Sequence, residues 1–239
     1  MKSKKIIGLI GGMGPHSSVH FYKLLLDKAV RNYGVKNNND FPEIILDSVP
    51  VPDFISDKSN LPMAKKMLIT SIKSLSKTAT IIGMVCNTAH ILTKDLEMAS
   101  KGKFISMINL VAEHVKIFGY KKIGILCTHT TRETGLYSKC LEKLGIKSIY
   151  LDNQNEKNLE TIIRIVLAGK SNTFHVKKLF MMTDKFVAEN NLDGIILGCT
   201  ELPLIFPKDK FKNVIDCMDV LADELLVRYY QGRKYEAKV

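Results

Sequence analysis

Two cysteines stand where apolar, strand-like runs give way to polar sequence. In IIGMVCNTAH, Cys86 closes the run and Asn87-Thr88 follows; in GIILGCTELP, Cys199 closes it and Thr200 follows. In parallel α/β units the loop after a strand lies at the carboxyl edge of the sheet, where such folds place ligands. Backbone N–H groups at a helix start carry partial positive charge, which lowers a thiol's pKa. Asn87, Thr88 and Thr200 add short side chains able to donate hydrogen bonds to a carboxylate. A thiolate on one side of a carbon and a thiol on the other can remove a proton from one face and deliver one to the opposite face. General acid–base help supplies only ~10²–10⁴-fold. For the weakly acidic Cα–H of an amino acid, a held carboxylate and exclusion of water must provide the remainder. Thiols of this kind are also expected to be inactivated by mild oxidant and restored by reductant.

A lone cysteine at a strand end is ordinarily a small buried hydrophobe. It is the matched setting of Cys86 and Cys199 that favours chemistry. Cys127, Cys140 and Cys217 lack that match and are expected to pack. His90 falls one helical turn past Cys86 and is expected to be structural, while His129, inside a Thr-rich loop, is the histidine closest in sequence to site residues. His16, His20, His114 and His175 show no ligand spacing, so no metal is expected. Asp47 and Asp53 are assigned no chemistry.

The elements that must position these residues read as α/β with parallel sheets. Strand-like runs at Lys5–Ile10, Glu43–Val49, Thr80–Val85, Phe104–Ile108, Lys122–Cys127, Lys147–Leu151, Asp193–Leu197 and Asn213–Asp216 are nearly continuous in Ile, Val and Leu. That pattern belongs to strands covered on both faces. Between them, Pro62–Lys77, Thr131–Leu144 and Glu156–Ala168 carry helical patterns, the last two ending on Gly145 and Gly169. The organisation repeats. KKIIGLIGGMGPHSS and YKKIGILCTHTTRETG each run from an apolar strand into a loop of small or hydroxyl residues, and each is followed at similar spacing by one of the two cysteine segments. Two similar, pseudo-twofold related α/β lobes are expected, residues 1–108 plus 211–239 with Cys86 and residues 109–210 with Cys199. The site would lie in the crevice between them.

Composition narrows the function classes. The net charge of +11 invites a nucleic-acid reading, but the lysines are dispersed over polar faces without a basic block or interleaved aromatics. Nucleic acid is therefore not an expected partner. No apolar run approaches the roughly 18 residues of a membrane span, and the lysine-rich start breaks at Gly11-Gly12 before forming a signal peptide; a cytoplasmic location is expected. Five cysteines without CxxC spacing argue against a disulfide framework and a zinc site. GGMGP matches neither G-x-G-x-x-G nor a P-loop, and its glycines are read as letting backbone approach a small anion.

LIGGMGP, CNTAH, GCTELP and VIDCMDVLADE, in that order from residue 5 to about 227, resemble the aspartate/glutamate racemase family, in particular its aspartate racemase branch. The resemblance implies a homodimeric, cofactor-independent enzyme acting on a small amino acid, with Cys86 and Cys199 as the catalytic acid/base pair. Carried over by position, Met13, Asn87, Thr88, Thr128, Thr131 and Thr200 would hold the α-carboxylate and ammonium. Thr130 stands where the family usually has Gly. Glu201 replaces the His that glutamate racemases carry after the second Cys-Thr, which favours the aspartate branch. The Arg and Lys with which aspartate racemases of this kind grip the distal carboxylate fall at Phe54 and Leu167. Either Arg164 or Lys170 takes their place, or the substrate is broader or neutral, since an unpaired buried carboxylate would cost several kcal/mol. Isomerisation or decarboxylation of a small dicarboxylate through one essential sulfur, and non-catalytic carboxylate binding, are the readings from other classes.

Overall fold

The computed structural model describes residues 5–231. The start of the lysine-rich segment, residues 1–4, and residues 232–239, both expected with the first lobe, lie outside the described residues. Within that span the chain forms two compact units, residues 5–85, 92–106 and 221–231 in one, residues 86–91 and 107–220 in the other.

The first unit contains β1 (Ile7–Gly11), α1 (Pro15–Tyr33), β2 (Ile44–Ser48), α2 (Leu61–Leu75), β3 (Ile81–Met84) and α3 (Thr93–Ser100). Its sheet is parallel in the order β2-β1-β3, with Ile7 opposite both Ile44 and Ile81. Central β1 is buried along its whole length, as its unbroken apolar run predicts. Phe21, Leu25 and Ala29 of α1 and Ala64, Leu68 and Ile72 of α2 are fully buried, each set at the spacing of one helix face. Each large buried side chain contributes about 1.5–3 kcal/mol. The GGMGP loop leaves β1 through Gly12, whose φ of +91° and whose position, with an added Cβ only 2.5 Å from the Val49 carbonyl oxygen, exclude other residues. Its N–H is held by Ser18 Oγ at 3.0 Å, so this glycine serves the turn.

The second unit contains α4 (Met107–Ile117), β4 (Lys122–Cys127), α5 (His129–Glu133), α6 (Leu136–Lys143), β5 (Lys147–Tyr150), α7 (Asn153–Leu167), α8 (Thr173–Asn190), β6 (Gly194–Gly198) and β7 (Val214–Asp216). Its parallel sheet runs β5-β4-β6-β7, with Ile123 opposite Gly194 and Cys127 opposite Gly198. The last helix, α9 (Cys217–Tyr230), begins in this unit and continues in the first. In each sheet the first strand is central, flanked by the second and third, so β1, β2, β3 correspond to β4, β5, β6. The central strand runs into the small-residue or hydroxyl loop and the third strand into a cysteine.

The structure differs from the sequence reading in several places. Phe104–Ile108 is not a strand: Phe104 makes a single parallel bridge to Ile82, and α4 starts at Met107. Met107, Ile108, Val111, Ala112 and Val115 are buried, a helical period hidden beneath a short apolar run. The helix expected over Thr131–Leu144 is broken between α5 and α6 by Gly135 at φ +67°. Residues 211–220, expected in the first lobe, include β7, which pairs with β6. Residues 86–91 cluster with the second unit as well, so Cys86 and Cys199 share one unit.

Candidate active site

β3 ends at Met84, and the chain then turns through Cys86 into a short 3-10 helix, Thr88–Leu92. Cys86 sits at that turn, 4 % exposed. The turn is fixed by His90, whose Nδ1 lies 2.7 Å from the Cys86 carbonyl oxygen. Its Nε2 accepts the Met107 N–H at 3.1 Å. An accepting Nε2 places the ring proton on Nδ1, so the neutral imidazole ties the cysteine turn to the start of α4. Burial drives its pKa down to about 4, against backbone bonds to Cys86 and Asn87 that raise it. The expectation of a structural His90 agrees with this geometry.

Three hydroxyls form a closed ring beside this turn. Thr88 Oγ1 lies 3.0 Å from Thr128 Oγ1 and 3.0 Å from Thr131 Oγ1, and the last two are 3.0 Å apart. Thr128 caps α5, its Oγ1 also accepting the Thr131 N–H at 3.3 Å. The structure thus joins Thr88 to the Thr-rich loop after β4. Asn87 is gripped at both ends of its amide: Oδ1 accepts from the Tyr137 hydroxyl, and Nδ2 donates to Cys217 Sγ at 3.1 Å.

Cys199, 6 % exposed, follows β6. Its Sγ–H donates to Glu201 Oε2 at 3.0 Å, and Thr200 Oγ1 donates to the same oxygen at 3.2 Å. Behind it stands a single 3-10 turn, Leu202–Leu204. The dipole of a long helix is therefore missing behind this sulfur.

The electrostatics run against the expectation of thiols with a lowered pKa. Burial pushes Cys86 up to about 12, opposed by the N–H groups of Ala89 and Thr88 and reinforced by the Glu201 carboxylate. Cys199 is raised well above the ordinary value, first by burial and then by the charge and the accepted hydrogen bond of Glu201; the Cys86 sulfur adds to the rise. That Coulombic effect of Cys86 on Cys199 puts the two sulfurs in one electrostatic neighbourhood. Sensitivity to mild oxidant does not follow for thiols this buried.

Other predicted residues fall elsewhere. Met13 is half-buried on the loop after β1, in the first unit. Arg164 Nη2 pairs with Glu160 Oε1 at 3.3 Å within α7, and Lys170 is exposed beyond its end. Phe54 is buried at 3 % exposure in the first unit, while Leu167 is 37 % exposed. His129 is exposed and faces Glu156 at 3.3 Å. Tyr137 and Cys217 are site neighbours that the sequence does not single out, and Glu201 stands out there only as a branch marker. For Glu201 a signal is present, an acidic residue two positions past a thiol with a hydroxyl between; nothing local marks Tyr137. All five cysteines are free thiols, and among the described residues no group of three or more His, Cys, Asp or Glu could hold a metal. No helix of the described residues is long and apolar enough to cross a membrane.

Known proteins are similar to this chain in sequence and fold. The model of the Asp/Glu/Hydantoin racemase family matches residues 10–225. The broad specificity amino-acid racemase RacX of Bacillus subtilis (strain 168) is 27 % identical over 217 residues, 90 % of this chain and 92 % of RacX. An aspartate racemase homologue from Pyrococcus horikoshii OT3 superposes with a TM-score of 0.80 at 28 % identity, covering 95 % of this chain and all of that one. Picrophilus torridus aspartate racemase gives a TM-score of 0.78 at 28 % identity, covering 94 % of both chains.

Proposed function

We propose that this chain, which belongs to the Asp/Glu/Hydantoin racemase family and is an isomerase of the amino-acid racemase type, works through the thiols of Cys86 and Cys199 as its two acid/base groups. The observation that carries the proposal is their setting: two buried sulfurs, each after the third strand of a parallel sheet, both in the unit that holds the hydroxyl ring.

In this reading one sulfur, as thiolate, takes the Cα proton and forms its S–H bond while the C–H electron pair delocalises into the α-carboxylate. The other sulfur gives its proton to the opposite face. The developing charge on the carboxylate is met by Thr88, Thr128 and Thr131, whose hydroxyls bond one another in the ring and can rotate to point at an anion. Donors aimed at that carboxylate stabilise the charge that grows in the transition state. Asn87, held in place by Tyr137 and Cys217, and Thr200 complete the polar set.

Thr131→Val tests the ring, since it keeps shape and removes one donor. A hydrogen bond to a charged group is worth about 1.5–3 kcal/mol, so kcat/KM is expected to fall roughly 10- to 100-fold. Steady-state kinetics in both directions measures it, and an unchanged kcat/KM would remove the ring from the reaction.

For the substrate, aspartate is the first reading, supported by the likeness to an aspartate racemase and to an aspartate racemase homologue. A broad or neutral specificity is the second. It is favoured by Arg164 being engaged with Glu160 and Lys170 being exposed, and by the likeness to RacX. We take the working enzyme as a homodimer, which light scattering behind size exclusion would check. The deciding experiment is Cα–H exchange in D₂O with L-aspartate, L-glutamate and neutral L-amino acids, read by NMR and chiral chromatography. Exchange with racemisation of aspartate supports the first reading and of neutral amino acids the second. No exchange on any of them would sink the two-thiol proposal.

A further inference from the structure

The two sulfurs sit in opposite environments. At Cys86 the polar contacts are donors, the backbone N–H groups of Ala89 and Thr88, which favour a thiolate. At Cys199 the nearest side chain is an acceptor: the thiol hydrogen lies on Glu201 Oε2, with sulfur and oxygen 3.0 Å apart. Glu201 is itself buried, 5 % exposed, and the Thr200 hydroxyl, 3.2 Å from the same oxygen, fixes it there. A carboxylate in that position strengthens the S–H···O bond and repels a charge on the sulfur. Other groups facing these atoms do not cancel the contrast. Cys199 also receives the Glu201 backbone N–H, which favours its thiolate but is outweighed by the carboxylate of the same residue, and it lies within Coulombic reach of the Tyr137 hydroxyl and of Cys86. Cys86 feels Glu201 from further off, as a Coulombic neighbour, and His90 on its own turn is neutral.

We infer that Cys86 is the resting base of the pair and Cys199 the resting acid, with Glu201 as the positioning residue that keeps the proton on Cys199. The inference rests on the two-thiol reading and deepens it. The resting enzyme then meets first the enantiomer whose Cα–H points at Cys86. Turnover moves one proton from carbon to Cys86 and one from Cys199 to carbon, leaving Cys86 as thiol and Cys199 as thiolate beside a carboxylate. That product form is the less stable one and is reset by proton uptake at Cys199 and release at Cys86.

The test is a pH titration of the protein labelled with [¹³Cβ]cysteine, with resonances assigned from Cys86→Ser and Cys199→Ser. It reads each thiol without requiring a reagent to enter the site. The expected result is that Cys86 ionises at lower pH than Cys199. Glu201→Gln should lower the Cys199 midpoint by about one to three pH units, with Cys86 moved less and half-buried Cys140 as an unmoved control. Glu201→Asp should return the Cys199 midpoint toward wild type. Cys199 ionising first, or a Cys199 resonance that behaves alike in wild type and Glu201→Gln up to the pH of unfolding, would overturn the assignment. Because the titration needs no substrate, its outcome is separate from that of the D₂O exchange: absent exchange removes the racemase mechanism, whereas an unmoved Cys199 removes only the role of Glu201.

Discussion

Cys86→Ser and Cys199→Ser are each expected to lower racemisation by ~10²–10⁴-fold, the range that a positioned acid or base supplies. A serine hydroxyl fills the same space but holds its proton far more tightly, so neither a base nor an acid of matched strength remains at that position. The loss should be nearly the same in the double variant, because the two groups act as a unit. Exchange without inversion is the finer signature. With one thiol left, the enantiomer whose Cα–H faces that thiol should still trade its proton for deuterium and keep its configuration, and the two variants should differ in which enantiomer does so. Deuterium uptake by NMR and enantiomer ratio by chiral chromatography measure both quantities on one sample. Full activity in either variant would place the chemistry on one sulfur, as isomerisation or decarboxylation of a dicarboxylate requires. Unchanged behaviour in both would return Cys86 and Cys199 to the core. Near-UV circular dichroism of the variants separates lost chemistry from lost fold.

Cys86 and Cys199 are legible in the sequence because a parallel sheet must deliver its strand ends to one edge, and a repeated motif marks both ends alike. The hydroxyls of Thr88, Thr128 and Thr131 are legible as residue types at the right loops. Their closure into a ring is not, since it depends on a turn and a loop 40 residues apart meeting at 3.0 Å. Tyr137 is hidden for a similar reason: it lies in a helix whose start is set by Gly135, and only the packing of α6 aims its hydroxyl at Asn87. The thiols' electrostatics escape the sequence because helix-forming residues after a cysteine do not guarantee a helix dipole. Behind Cys199 there is a 3-10 turn and a buried carboxylate, and burial outweighs the backbone N–H contribution at both sulfurs. In the fold, the run at Phe104–Ile108 is too short to separate strand from helix by periodicity alone; His90, by accepting the Met107 N–H, helps decide where α4 begins.

That histidine gives the second large expected effect, a loss of stability in mild acid. The His90 ring is buried, 2 % exposed, and is satisfied only in the neutral tautomer, with Nδ1–H on the Cys86 carbonyl and Nε2 accepting from Met107. Protonating Nε2 would set an N–H against an N–H and leave a charge in a dry interior. Its pKa is accordingly lowered from 6.5 to about 4. The sign of the linkage follows from the proton count. Above pH 6.5 the ring is neutral in both folded and unfolded chains, and its contribution is complete. Between 6.5 and about 4 the unfolded chain binds a proton that the folded one refuses, so stability falls as pH falls, and the loss is complete below the folded pKa. A shift of that size corresponds to roughly 3 kcal/mol. Urea unfolding of wild type and His90→Gln across this window isolates the term, because carboxylates titrating in the same range are common to both. His90→Gln should begin less stable at pH 7 by about 1–3 kcal/mol, the cost of a disrupted buried hydrogen-bond pair. It should then lose less on acidification, so that the two curves converge toward pH 4. Parallel curves would mean that the ring takes up its proton without leaving its place, and the tie between the Cys86 turn and α4 would have to be held by the backbone around it.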